Sequence, residues 1–261
     1  MDIDKLALIS GEPISICEGV LLYQPTLRDI KEFGEAEFFS TFWTICSSPW
    51  DMPSTLADAG IDFMEISEWE LFRGLITGYP IEATRLFFGD LDFTQFIPLS
   101  QLNEDGTEEI ILCNQDGVII NEAAYKLLIS YIQATIGFQH SGKKAGNQIT
   151  KKIMIQDDKK RRERDKGKPF ESVLFDGILT MVNTEECKYD FSSIFNLTLY
   201  QYMKSYTQIQ GKKAALALTQ GSYSGFVDAS QIDKLDFQWT YSDEKYKPKA
   251  KKLVNNKYQK K

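Results

Sequence analysis

Charge along this chain is sorted into blocks, and that sorting limits what each segment can do in a folded protein. Residues 1–140 carry 6 Lys/Arg against 23 Asp/Glu, a net of −17, whereas residues 141–168 carry 11 against 4, a net of +7. Residues 169–244 return to −5, and the last 17 residues, 245–261, hold eight lysines and no acid. Like charges held together repel unless something neutralises them, so such blocks predict contact with charged partners.

A core is affordable alongside this charge. Of 261 residues 43% are apolar and 13% aromatic, which excludes wholesale disorder. The apolar runs, such as residues 118–120 and 20–23, fall far short of the roughly 20 residues that span a bilayer. The first five residues, Met1-Asp-Ile-Asp-Lys5, are acidic and start no signal peptide. A soluble protein made in a cytoplasm, with no membrane partner, is the expectation. Cys17, Cys46, Cys113 and Cys187 match neither a zinc pattern nor a CxxC pair and read as reduced, mostly buried small hydrophobes. The sequon at Asn196-Leu-Thr198 has no meaning without secretion.

The pattern predicts an α+β protein, mainly helical, with a small N-terminal β-hairpin and a short central antiparallel β-layer. The hairpin spans residues 13–23, with Glu18-Gly19 at its turn. Thr26, with Asp29 three residues on, caps a helix that carries Ile30, Phe33, Phe38, Phe42, Trp43 and Ile45 to a stop at Ser48-Pro49. Short helices follow near residues 54–59 and after the capping box Ser67-x-x-Glu70. Residues 86–120 read as the β-layer, with turns at Asn103-Glu-Asp-Gly106 and Asn114-Gln-Asp-Gly117. Asn121 caps a helix to about Ile136. Residues 140–146 read as a linker, and residues 157–166, charged on every side, as an exposed helix or a partly disordered arm.

Residues 170–183 predict a helix buried through Val173, Leu174, Ile178, Leu179 and Val182. Thr198-x-x-Gln201 opens another, residues 214–219 a third stopped by Gly221, and Asp228-x-x-Gln231 a short turn before an anchoring Trp239. The division expected is an acidic α+β domain (1–138), a basic linker or arm (139–168), a helical C-terminal region (169–243) and a disordered Lys-rich tail (244–261).

Catalytic signals are weak. His140 is the only histidine and lies in the linker, which places it in solvent and weakens His-based metal sites. Asp90-x-Asp92 could hold Mg²⁺ with Glu82 or Glu70, but a turn or solvated edge is the plainer reading in so acidic a segment. Gly221-Ser-Tyr-Ser-Gly225 has Tyr223 where a nucleophile elbow needs serine, and reads as a flexible turn between helices. Gly142-Lys-Lys-Ala-Gly146 is no Walker A loop. No cofactor is implied.

The binding candidates are therefore surfaces. Phe38, Phe39, Phe42 and Trp43 exceed what one buried face needs, so part of that helix is a candidate subunit contact. Lys159, Arg161 and Arg162 of the arm, and Lys249, Lys251 and Lys252 of the tail, are candidates for an acidic protein surface, including residues 1–140 of a second copy. Nucleic acid is an alternative through counterion release, with Tyr246 and Tyr258 available for stacking, but the overall charge of −7 disfavours it.

Two stretches carry a resemblance. Val20-Leu-Leu-Tyr-Gln-Pro-Thr-Leu-Arg-Asp-Ile30, followed by Gly34-Glu35 and an aromatic helix, resembles the opening of tail assembly chaperones of tailed bacteriophages. Gly225-Phe-Val-Asp-Ala-Ser-Gln-Ile-Asp-Lys-Leu-Asp-Phe-Gln-Trp239 is similar to the ends of phage proteins from Gram-positive hosts. The resemblance implies a mostly helical, non-enzymatic, oligomeric protein that binds tape-measure and tail-tube proteins. It also implies residence in the host cytoplasm during assembly, or in the virion, and brings no catalytic residues. This chain is longer than a typical chaperone, and residues 96–120 and the basic arm lie outside the pattern. That leaves a neighbouring assembly role open. The alternatives are a Mg²⁺-dependent enzyme such as a nuclease, built on Asp90 and Asp92, and a nucleic-acid-binding accessory protein.

Overall fold

A computed structural model describes residues 3–102, 106–137, 146–184 and 188–224. The linker around His140, the Asn103-Glu-Asp105 part of the first turn, Cys187, the 228–231 turn, Trp239 and the Lys-rich tail lie outside the described residues. The chain divides into two compact units, 1–182 with 189–203, and 183–188 with 204–261.

The first unit is α+β and mainly helical. Asp4 caps α1 (Lys5–Ser10) by accepting the N–H groups of Leu6 and Ala7. The hairpin follows as β1 (Ile14–Cys17) and β2 (Val20–Leu22), antiparallel, with Ile14 opposite Leu22 and Gly19 at φ 78° in the turn. Thr26 and Asp29 form a capping box for α2 (Leu27–Phe33). The single helix expected here is broken at Gly34, whose φ of 109° and ψ of 113° are non-helical, and restarts as α3 (Glu35–Cys46). Ile30, Phe38 and Phe42 are fully buried, and Phe38 stacks on Phe87 at 5.0 Å.

α4 (Pro53–Asp58) and α5 (Glu68–Ile76) occur near their expected places, α5 behind the Ser67–Glu70 capping box. Residues 86–95, part of the span expected to be the β-layer, are not strand. Pro80 opens α6 (Ile81–Phe88), and Phe93–Gln95 form a 3₁₀ turn that buries Phe93. The β-layer itself is β3 (Ile97–Leu102), β4 (Glu108–Cys113) and β5 (Ile119–Ile120), antiparallel in that order. Trp69 of α5 fixes it, donating its indole N–H to the Ile110 carbonyl at 2.9 Å. The Asn121-capped α7 (Glu122–Ile136) buries Leu128 and Ile132, and Tyr125 packs against Trp69 and Phe72.

The charged arm forms α8 (Gln148–Asp165). α9 is only Phe175–Val182, because the Glu35 carboxylate takes the N–H groups of Val173 (2.7 Å) and Leu174 (3.0 Å) and the Ser172 hydroxyl just before it. Its buried face is Gly177 and Met181, with Leu174 ahead of the helix, whereas Val173 and Leu179 are exposed. Thr198 and Gln201 exchange capping bonds of 3.0 and 3.2 Å at the start of α10 (Leu199–Tyr223). That start is tied to α2 by Leu27 N–H to Leu197 O (2.9 Å) and Leu199 N–H to Pro25 O (3.0 Å). α10 runs on through Gly211 and Gly221, so the two helices expected here, and the start of the turn expected at 221–225, are one helix to Tyr223. From Lys204 onward α10 belongs to the second unit.

Candidate functional site

The basic block meets acid within the first unit. One face of α8 lies on α4 and the segment after it. Lys159 pairs with Asp58 at 2.6 Å, and Lys151 pairs with Asp62. Arg162 donates to the Ser54 and Thr55 hydroxyls at 3.2 and 3.1 Å, and Arg161 to the Asp51 carbonyl at 3.4 Å. At the centre Asp158, 6% exposed, accepts from both the N–H (3.2 Å) and the hydroxyl (2.5 Å) of Ser54, and pairs with Arg161. Ile155 adds an apolar contact to a cluster of Leu56, Phe63 and Leu71, flanked by Trp50 and Met52.

Residues 148–165 are thus a docked helix, with Asp158 at its buried face. The hydrogen bond from Lys151, with that from the Met64 N–H, holds the Asp62 carboxyl below the usual carboxylate value. Lys159 and Arg161 keep about half of their side chains in solvent, so their pairs stabilise little individually, and the buried Asp158–Ser54 contact sets the register.

The opposite face of α8 is open. Ile149 and Ile153 are 71% and 51% exposed, and Lys152, Lys160 and Arg164 flank them at helical spacing with Glu163 between. Neither Lys152 nor Lys160 has a carboxylate partner among the described residues.

A second open surface is β3. All six of its residues are exposed, among the described residues it pairs only with β4, and none is charged. Ile97, Leu99 and Leu102 are 57%, 43% and 72% exposed. A strand proline belongs where its nitrogen faces away from the ladder. Pro98 therefore turns the backbone of Ser100 and Leu102 toward the free edge as well.

The aromatic candidates divide. Phe38, Phe39 and Phe42 are core, at 2% exposure or less, and not available to a partner in this fold. Trp43, 43% exposed, stands edge-on to Phe42 at 5.4 Å. Lys249, Lys251 and Lys252 lie outside the described residues.

Asp92 serves local structure. Its carboxylate caps the 3₁₀ turn, accepting from Thr94 N–H (3.0 Å), Thr94 Oγ (2.6 Å) and Gln95 (3.1 Å), and these bonds hold it below its usual pKa. Among the described residues no three His, Cys, Asp or Glu converge as metal ligands, and no helix is long and apolar enough to cross a membrane. Cys17, Cys46 and Cys113 are free thiols, and burial pushes that of Cys46 well up.

The docking of α8 was not legible in the sequence. Ser54 and Asp158 are 104 residues apart, and the only signal was the opposite charge of their two blocks. No protein family, curated protein or solved structure matches the chain.

Proposed function

We propose that this chain is a non-enzymatic assembly factor of the phage-tail kind, which binds a tape-measure or tail-tube protein through strand β3. The observation that carries this reading is an exposed, uncharged edge strand with three apolar side chains, within an N-terminal half of net charge −17. Folded proteins usually blunt such an edge with charge or cover it. A long open edge accepts an added strand, with main-chain bonds giving affinity and side chains on alternate positions giving specificity. The likeness of residues 20–35 to tail assembly chaperones supports the choice of partner.

The test is capture of purified tape-measure and tail-tube proteins from the same gene cluster by the full chain. Binding in the micromolar range, lost in Leu99→Lys, is the expected result. No binding by the unmodified chain, or equal binding by the variant, contradicts the reading.

A further inference from the structure

The first unit carries a ridge and a groove of opposite charge. The ridge is the outer face of α8, where Ile149 and Ile153 lie beside Lys152, Lys160 and Arg164, opposed by Asp157 and Glu163. The groove runs between α3 and α6 and is lined by Phe33, Pro80 and Ala83 with Ser40 and Thr41, and by two carboxylates, Glu37 and Glu82. Both acids are exposed, and neither has a basic partner among the described residues. α8 spends its inner face on its own α4, so the outer lysines are available to another molecule. Two copies of a chain with so acidic a front half repel each other, and a contact between them is favoured where bases cross it.

We propose that the outer face of α8 docks in the α3–α6 groove of a second copy, so that the chain associates head to tail. Ile149 and Ile153 meet the apolar floor, and Lys152 and Lys160 meet Glu37 and Glu82. The ridge and the groove are different surfaces, so the contact is heterologous and each copy offers one of each; the chain closes into a ring or grows as a filament. This deepens the protein-binding reading by naming a second copy as one partner, at a surface distinct from β3.

Sedimentation velocity of the full chain tests it. Association that rises with protein concentration at about 0.1 M salt and falls away at about 1 M is expected, because exposed ion pairs are screened. Lys152→Glu with Lys160→Glu, and Glu37→Lys with Glu82→Lys, should each give a folded monomer, and an equimolar mixture of the two variants should associate again. A wild-type monomer at about 100 μM in low salt overturns the proposal. So does an oligomer that both variants leave intact, or a mixture that stays monomeric. None of these results alters the outcome of the tape-measure and tube capture, which reads the β3 edge.

Discussion

The Asp158 carboxylate takes both the N–H and the hydroxyl of Ser54, 104 residues earlier, and does so in the interior. It joins a helix of mostly charged residues to an acidic domain. A buried acceptor with two donors is costly to remove, because the donors are left without partners. Asp158→Ala should lower unfolding free energy by about 1–3 kcal/mol, and Ser54→Ala by about 1 kcal/mol. Because the two groups share one interaction, the double variant should cost less than the sum. Urea melts of the four proteins check this, and strictly additive losses would contradict it.

The ion pair at Asp62 has a defined pH signature. The bond from Lys151 lowers its pKa below 3.8, with a smaller contribution from the Met64 N–H. A carboxyl lowered in the folded state adds stability that is present above its unfolded pKa and is lost as pH falls through the folded value. The contact should therefore be intact from about pH 5 upward and fail only in acid. An NMR titration of the Asp62 side chain should give a midpoint below 3.8 that returns toward it in Lys151→Gln. A wild-type midpoint at or above 3.8 would refute the contact.

Gly177 sits inside α9 where the hydroxyl of Tyr202 approaches closely, and that hydroxyl donates to the Leu174 carbonyl at 3.1 Å. A Cβ at Gly177 would clash with the Tyr202 oxygen, so one of the two must move. Gly177→Ala should thus cost about 1–3 kcal/mol by overpacking, against the roughly 1 kcal/mol that alanine gains in a free helix. Tyr202→Phe removes the clashing atom, and the double variant should recover part of the loss. Thermal melts decide it; a stabilised Gly177→Ala protein would show that the approach is not tight.

Cys46 is 2% exposed, and burial raises its thiol pKa. Thiolate is the reactive form, so Cys46 should resist a disulfide reagent in the native protein and react only after unfolding. Cys17 and Cys113, half-buried, should react before it. Mass spectrometry of briefly labelled protein reads the order, and early labelling of Cys46 would contradict the packing of α3.

Local chemistry was the legible part of this fold. The Thr26–Asp29, Ser67–Glu70 and Thr198–Gln201 boxes, the Asn121 cap and the β3–β4 ladder all follow from residues near one another in sequence. Tertiary contacts overrode local pattern elsewhere. α9 begins late because Glu35, some 138 residues away, claims the N–H groups that a longer helix would use. α2 and α3 separate at Gly34 although the apolar stripe continues across it. α10 passes through Gly211 and Gly221, where a glycine costs a helix only about 1 kcal/mol and need not end it. α8 has a weak apolar stripe, and its partner surface became visible only once Asp58, Asp62 and Ser54 were placed together.

Hydrogen exchange in residues 148–165 as a function of salt tests most directly whether the positive block is held by the negative one. At about 0.1 M salt the amides of α8 should be protected, and at about 1 M they should exchange several-fold faster while those of α7 hold steady. Amides in α8 that exchange at unprotected rates in low salt, or protection that salt leaves unchanged, would contradict it.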